Sequence, residues 1–231
     1  MGSANLSPQR IVHCEDAIPW LQRSHILTDC SVIASIPDIS EFPRFTLELW
    51  KDWFASTAAL IFSKTPPEGV TIFYQSDIKS EGTWVDKGYL CQKAAELAGQ
   101  DLLWHKIICR VPPGITTPRR SSYTHILCFS KGVRVDDSQS TPDVLPEMGE
   151  KTWERGMGLE ACLMMGNFIA RQTTTKTIAH IFCGQGSMLA MANELGLSAI
   201  GVERSQKCAE MARTLKVDLK TKKWIGGEEV A

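Results

Sequence analysis

Residues Thr177–Leu215 read TIAHIFCGQGSMLAMANELGLSAIGVERSQKCAEMARTL, and the reading of this stretch decides the fold. An apolar run, Ile178–Phe182, ends in Cys183-Gly184-Gln185-Gly186-Ser187. A helical pattern then runs from Met188 to Leu195 and stops at Gly196. A second apolar run, Ala199–Val202, ends on Glu203. The pattern predicts a strand, a glycine turn, a helix and a second strand that ends in an acid.

Glycines at 184 and 186 permit a sharp turn and let a ligand approach bare backbone. The N–H groups at the start of the next helix face that space. A carboxylate at the end of the neighbouring strand accepts both hydroxyls of a ribose. These features describe a pocket for an adenosine-containing cofactor. A dinucleotide fingerprint would carry a third glycine at position 189, where this chain has Leu. That gap and the lack of an evident tyrosine–lysine pair disfavour a nicotinamide-dependent oxidoreductase.

FCGQGS resembles the FCGSGT-type cofactor loop of S-adenosylmethionine-dependent methyltransferases, in particular the amino-methylating DNA and RNA enzymes. The match extends through the helix and the LGLSAIGVERS strand. The resemblance implies S-adenosyl-L-methionine as cofactor. It implies contacts from His180, Phe182, Cys183, Gly184, Gln185, Gly186 and Ser187, with Glu203 on the ribose and Arg204 beside it. The chain departs from the pattern at His180-Ile181, where the family usually has Asp-Pro. The acid found there helps hold the methionine end of the cofactor.

Cys30–Ile36 (CSVIASI) is a short, β-branched apolar run bounded by Asp29 and Pro37-Asp38, and it reads as a buried parallel strand. Its exit, Ser35-Ile36-Pro37-Asp38, falls at the C-terminal end of the strand, where open α/β sheets place their sites. It is similar to the (Ser/Asn/Asp)-Pro-Pro-(Tyr/Phe/Trp) motif of the same enzymes. In them a polar side chain and a proline carbonyl receive the target amine, and the aromatic stacks on the extruded base. The resemblance gives Ser35 and Pro37 the orienting role and makes Asp38 an auxiliary acceptor. Asp38 stands where the aromatic belongs and cannot stack, so Phe42 or Trp50 is expected to fill that gap. A plain helix cap is the other reading of Pro37-Asp38.

Further strands are expected at 70–75, 102–111 and 123–130, with helices over 45–62, 84–98 and from about Leu159 to Ala170. The strands at 102–111 and 123–130 have no helix between them, so they pair antiparallel. The Arg119-Arg120 loop, with Lys106 and Arg110 nearby, is the most concentrated basic feature and a candidate phosphate contact. Residues 1–26 read as a lead-in over one end of the sheet, 131–150 as a linker and 216–231 as a tail.

In order, the chain has its SIPD strand first, the hairpin next and the cofactor loop last. The resulting expectation is one α/β domain over 27–215 with a Rossmann-like methyltransferase fold. Its sheet is mostly parallel with an antiparallel terminal strand, and its motif order is circularly permuted. One class of amino-methylating DNA methyltransferases shares that order. Those enzymes carry a sizeable recognition region where this chain has a linker of about twenty residues. A compact chain of this kind favours RNA over DNA, or a partner subunit that supplies recognition. The alternative is a catalytically silent member of the fold that serves as an RNA- or protein-binding scaffold.

Composition sets the outer bounds. The 231 residues are 43% hydrophobic, enough for one substantial core, and the formal charge of −1 gives no global basic field. Eight cysteines lie scattered with no C-x-x-C pair, which argues against zinc and a disulfide framework and suits a reducing, intracellular compartment. No run is long and apolar enough to suggest a membrane span.

Overall fold

The structure is a computed structural model that describes residues 7–118 and 120–226. In chain order its elements begin with β1 (Arg10–Cys14), α1 (Ala17–Arg23), β2 (Cys30–Ala34), α2 (Leu47–Lys64) and β3 (Thr71–Gln75). A small hairpin, β4 (Ile78–Ser80) and β5 (Thr83–Val85), leads into α3 (Lys87–Leu97). Then come β6 (Asp101–Cys109), β7 (Tyr123–Ser130), β8 (Val144–Leu145), α4 (Leu159–Gln172) and β9 (Thr177–Ile181). The chain closes with α5 (Ser187–Glu194), β10 (Ser198–Glu203), α6 (Gln206–Thr214), β11 (Lys216–Asp218) and β12 (Lys223–Ile225).

Eight strands form one sheet in the order β1-β10-β9-β2-β3-β7-β6-β8. The run from β1 to β3 is parallel, and β7 lies antiparallel to both β3 and β6. β2 lies beside β9, with Cys30 opposite Thr177 and Ala34 opposite Ile181. This adjacency is what the permuted order requires. Every residue of β2 and β3 is buried, as expected of central strands covered on both faces.

Two apolar cores sandwich the sheet. One packs α1, α2 and α3 through Trp20, Trp50, Phe54 and Phe62, and the other packs α4 and α5 through Met165, Met188 and Met191. The aromatics of α2 serve mainly this core. Trp50 and Phe54 are fully buried, while Trp53 is partly exposed.

Four sequence expectations change, the first being the 131–150 linker, whose Val144–Leu145 form β8 beside β6. The lead-in supplies β1, which pairs in register with β10 (Arg10 opposite Ala199) and extends the sheet. Its alternation of half-exposed residues hides the strand signal, because an edge strand buries little. The start of the helix expected over 84–98 belongs to the β4–β5 hairpin, and α3 starts at Lys87, not Trp84. Asp86 caps it by accepting the Tyr89 N–H. The tail forms a β11–β12 hairpin through Ile225.

Candidate active site

Ala34 and Ile181 are paired, so the chain leaves β2 and β9 side by side. Above these two exits lies a cavity of about 630 Å³. Ser35, Pro37, Asp38 and Phe42 wall it on one side. His180, Phe182, Cys183, Gly184, Gln185 and Ser187 wall it on the other, with Glu203 and Arg204 from the end of β10. Segments far apart in sequence thus enclose a single space.

The β9 exit is a backbone device. Phe182, Gly184 and Gly186 all have left-handed φ, at 63°, 54° and 81°. A phenylalanine in that region is strained, and such strain persists only where surrounding structure imposes it. The Gly184 N–H donates to Glu203 Oε2 at 2.9 Å, and the Ser205 N–H donates to Glu203 Oε1 at 2.8 Å. Glu203 therefore ties the glycine loop to the start of α6 and is held in one orientation. Each carboxylate oxygen keeps a further lone pair for a ligand.

Gly186 does a different job from the one expected. It does not line the cavity; a Cβ there would sit 2.7 Å from the Ala212 backbone of α6. Its bare backbone serves helix packing. At Gly184, a Cβ would sit 3.4 Å from the Trp153 indole, which roofs the loop. In sequence Trp153 reads only as a residue leading into the helix that becomes α4, and nothing in its local pattern marks it as a wall.

His180 is buried, and neither ring nitrogen has a hydrogen-bond partner among the described residues. Burial pushes its pKa down to about 3, so the ring is neutral at physiological pH. A buried, unpaired polar ring beside a cavity is costly, and a bound ligand is one way to satisfy it. Burial raises the Cys183 thiol, which stays protonated and is unsuited to nucleophilic attack.

The β2 exit is a side-chain device. Asp38 precedes a short 3-10 turn, Ile39–Glu41, yet its side chain makes no capping bond there among the described residues. It pairs with Lys87 Nζ at 3.3 Å. The Lys87 side chain is 4% exposed, and its ammonium lies 5.5 Å from the Trp50 ring. The Trp50 indole N–H donates to the Pro37 carbonyl at 3.2 Å, so one lone pair of that expected amine acceptor is already used. Trp50 is core. On the acceptor side Phe42 lines the cavity, stacked on Phe45 at 5.0 Å and tilted against Trp53 at 4.4 Å.

Sequence reasoning misses Lys87, because a lysine opening a helix looks solvated. A buried network holds it. Its own N–H donates to Asp77 Oδ1 at 2.9 Å. Asp77 Oδ2 lies 2.9 Å from His125 Nε2, and His125 Nδ1 lies 2.8 Å from His105 Nε2. Burial pushes the Asp77 carboxyl up, but bonds from His125, the Lys87 N–H and Trp84 outweigh this and hold it below its usual value. Asp77, Asp86 and His125 are close enough to share a cation, but each already bonds to protein groups.

Basic groups line the cavity too. Arg110, Arg120, Lys151, Arg155 and Arg204 all line it. Glu41 bridges Arg155 at 3.4 Å and Arg204 at 3.2 Å, so Arg204 lines the cavity with its guanidinium already paired. Arg119 lies outside the described residues. Lys106 turns away into bonds with Thr141 O and Asp143.

No protein-family model and no curated protein sequence matches the chain. Solved structures do. TTHA0409 from Thermus thermophilus, a candidate DNA modification methylase solved with S-adenosyl-L-methionine, matches with a TM-score of 0.66 at 18% identity, over 88% of this chain and 91% of its own. PvuII DNA methyltransferase (cytosine-N4-specific) matches with a TM-score of 0.67 at 14% identity, over 92% and 89%. The M1.HpyAVI complex with the same cofactor gives 0.57 at 12% identity, over 89% and 97%. The chain has the fold of these methyltransferases. Among the described residues no helix is long and apolar enough to cross a membrane.

Proposed function

We propose that this protein is an S-adenosylmethionine-dependent N-methyltransferase that acts on the exocyclic amine of a nucleobase. One observation carries the reading. A strained glycine loop clamped by Glu203 and the Ser35–Asp38 exit open into the same cavity from adjacent parallel strands. That is where a methyl donor and an amine acceptor must meet.

The residues present fit the cofactor. Glu203, already oriented by two backbone N–H groups, would take the ribose hydroxyls, and the Phe182–Ser187 turn would lie along the adenosine and methionine. His180, which lacks a partner among the described residues, would bond to the methionine end that an acid usually holds. When bound, the cofactor supplies an activated methyl group. The protein then has to orient, desolvate and deprotonate, and holding two reactants in line accounts for most of such a rate. Ser35 and Asp38 would receive the amine, and Phe42, backed by Trp53, would face the base. Arg110 and Arg120 would meet phosphate.

DNA is the first polymer to test. The short linker favours RNA only if DNA enzymes of this order need a large recognition region. Yet the chain spans 89% of the PvuII enzyme and 91% of TTHA0409. Selectivity for one sequence would still draw on a partner subunit. Against a silent scaffold stand the Asp38–Lys87 pair, where a simple cap was the alternative, and an aromatic at the acceptor wall. Transfer of labelled methyl from S-adenosylmethionine to DNA and to RNA oligonucleotides tests the proposal. Label on base amines, reduced at least tenfold by Asp38→Ala, supports it. Cofactor binding without transfer to either polymer favours the scaffold.

A further inference from the structure

Asp38 and Lys87 form an ion pair on the acceptor wall, and both line the cavity. A carboxylate only accepts hydrogen bonds and an ammonium only donates them. Side by side, they present an acceptor next to a donor. The pair is not explained by stability, since burying two charges in a fold generally gains little over apolar packing. It is held firmly all the same. The Lys87 backbone is pinned by Asp77, which His125 and His105 brace from behind, and its ammonium sits against the Trp50 ring. Burial lowers the Lys87 ammonium from its ordinary value, and Asp38 opposes that fall.

We propose that Asp38 and Lys87 together read the base: Asp38 accepts from the exocyclic amine, and Lys87 donates to the unprotonated ring nitrogen beside it. This rests on the methyltransferase reading and adds Lys87 to it as a specificity-determining residue. Adenine offers that edge as its 6-amine beside N1, and cytosine as its 4-amine beside N3. Uracil, thymine and guanine present the opposite sense, a carbonyl oxygen beside a ring N–H, so in the orientation that aims an exocyclic amine at Asp38 they would set like groups against each other. The pair thus does by hydrogen bonding part of what a stacked aromatic does by contact.

The same pair balances the chemistry. The amine nitrogen forms its bond to the methyl carbon as the carbon–sulfur bond breaks, and that electron pair stays on sulfur. The nitrogen, now positively charged, sheds one proton to the Asp38 carboxylate, which returns it to solvent. Lys87 holds the Asp38 carboxylate in place at 3.3 Å and is a positioning residue in this step.

Calorimetric titration with the 5′-monophosphates of adenosine, cytidine, uridine and guanosine, in the presence of the demethylated cofactor, tests the inference. The wild type should prefer the adenosine or cytidine nucleotide over uridine and guanosine by about tenfold, the discrimination typical of a two-point base contact. Lys87→Met should erase most of that preference and leave cofactor affinity unchanged. Asp38→Asn should also narrow the preference, because a carboxamide can donate to a carbonyl. In transfer assays it should lower kcat more than it raises KM. Equal binding of all four nucleotides by the wild type, or an undiminished preference in both variants, overturns the inference. A preference that Lys87→Met abolishes, in a protein that transfers no methyl group, upholds the pair and refutes the reaction.

Discussion

The exits of β9 and β2 are neighbours in the sheet, yet they are assembled from different materials. The β9 exit is made of backbone: three left-handed residues within five positions and two N–H groups closing on one carboxylate. The β2 exit is made of side chains brought from elsewhere, with Lys87 from α3, Trp50 from α2 and Phe42 from the turn after the motif. A backbone device depends on glycines at fixed spacing, so damage to it should propagate into the fold or into cofactor affinity. A side-chain device can lose a member and stay folded, so damage to it should appear in specificity and transfer.

The largest effect expected on this contrast is at Gly186. Gly186→Ala adds a methyl group within 2.7 Å of Ala212 at a φ of 81°. Overpacking with left-handed strain should cost about 3 kcal/mol. Denaturant unfolding would show it as a lower midpoint; an unchanged midpoint would mean that α6 does not pack as described. Glu203→Ala comes next. Losing a hydrogen bond to a charged group costs about 1.5–3 kcal/mol, so cofactor affinity should fall about ten- to a hundredfold in a folded protein. A fall confined to base binding would erase the distinction between the two exits.

How much of this is legible in the sequence follows the same division. CGQGS and the acid at Glu203 lie within 21 consecutive residues, and backbone turns write themselves in local sequence. The order of the strands and the antiparallel hairpin are legible for the same reason, through contiguous apolar runs. Lys87 is not, because its significance comes from Asp38, 49 residues away in sequence. Trp153 hides in a polar stretch, and its partner Gly184 lies beyond a whole helix and strand. β1 is an edge strand with a mixed pattern, so periodicity does not find it. Gly186 reads correctly as a close approach but with the wrong neighbour, since a glycine does not say what comes near.

Smaller effects sharpen the contrast further. His180 is neutral in the fold, with its pKa depressed to about 3, whereas an unfolded histidine titrates near 6.5. Between those values the unfolded chain binds more protons, so the stability tied to His180 is complete above about pH 6.5 and is lost as pH falls towards 3. His180→Leu should flatten the decline in unfolding free energy across that window and weaken cofactor binding. A decline as steep as that of the wild type would place the acid sensitivity elsewhere. Trp153→Ala should have the mildest effect. Removing the roof over Gly184 should lower cofactor affinity by about fivefold, roughly 1 kcal/mol, without altering base preference.

The binding predictions rest on the β9 exit being a cofactor site, and calorimetric titration of the wild type and Glu203→Ala with S-adenosylmethionine and its demethylated product tests that most directly. The account predicts one site per chain for both ligands, with affinity lowered about tenfold or more in the folded Glu203→Ala protein. Binding of neither ligand by the wild type, or equal binding by both proteins, would contradict it.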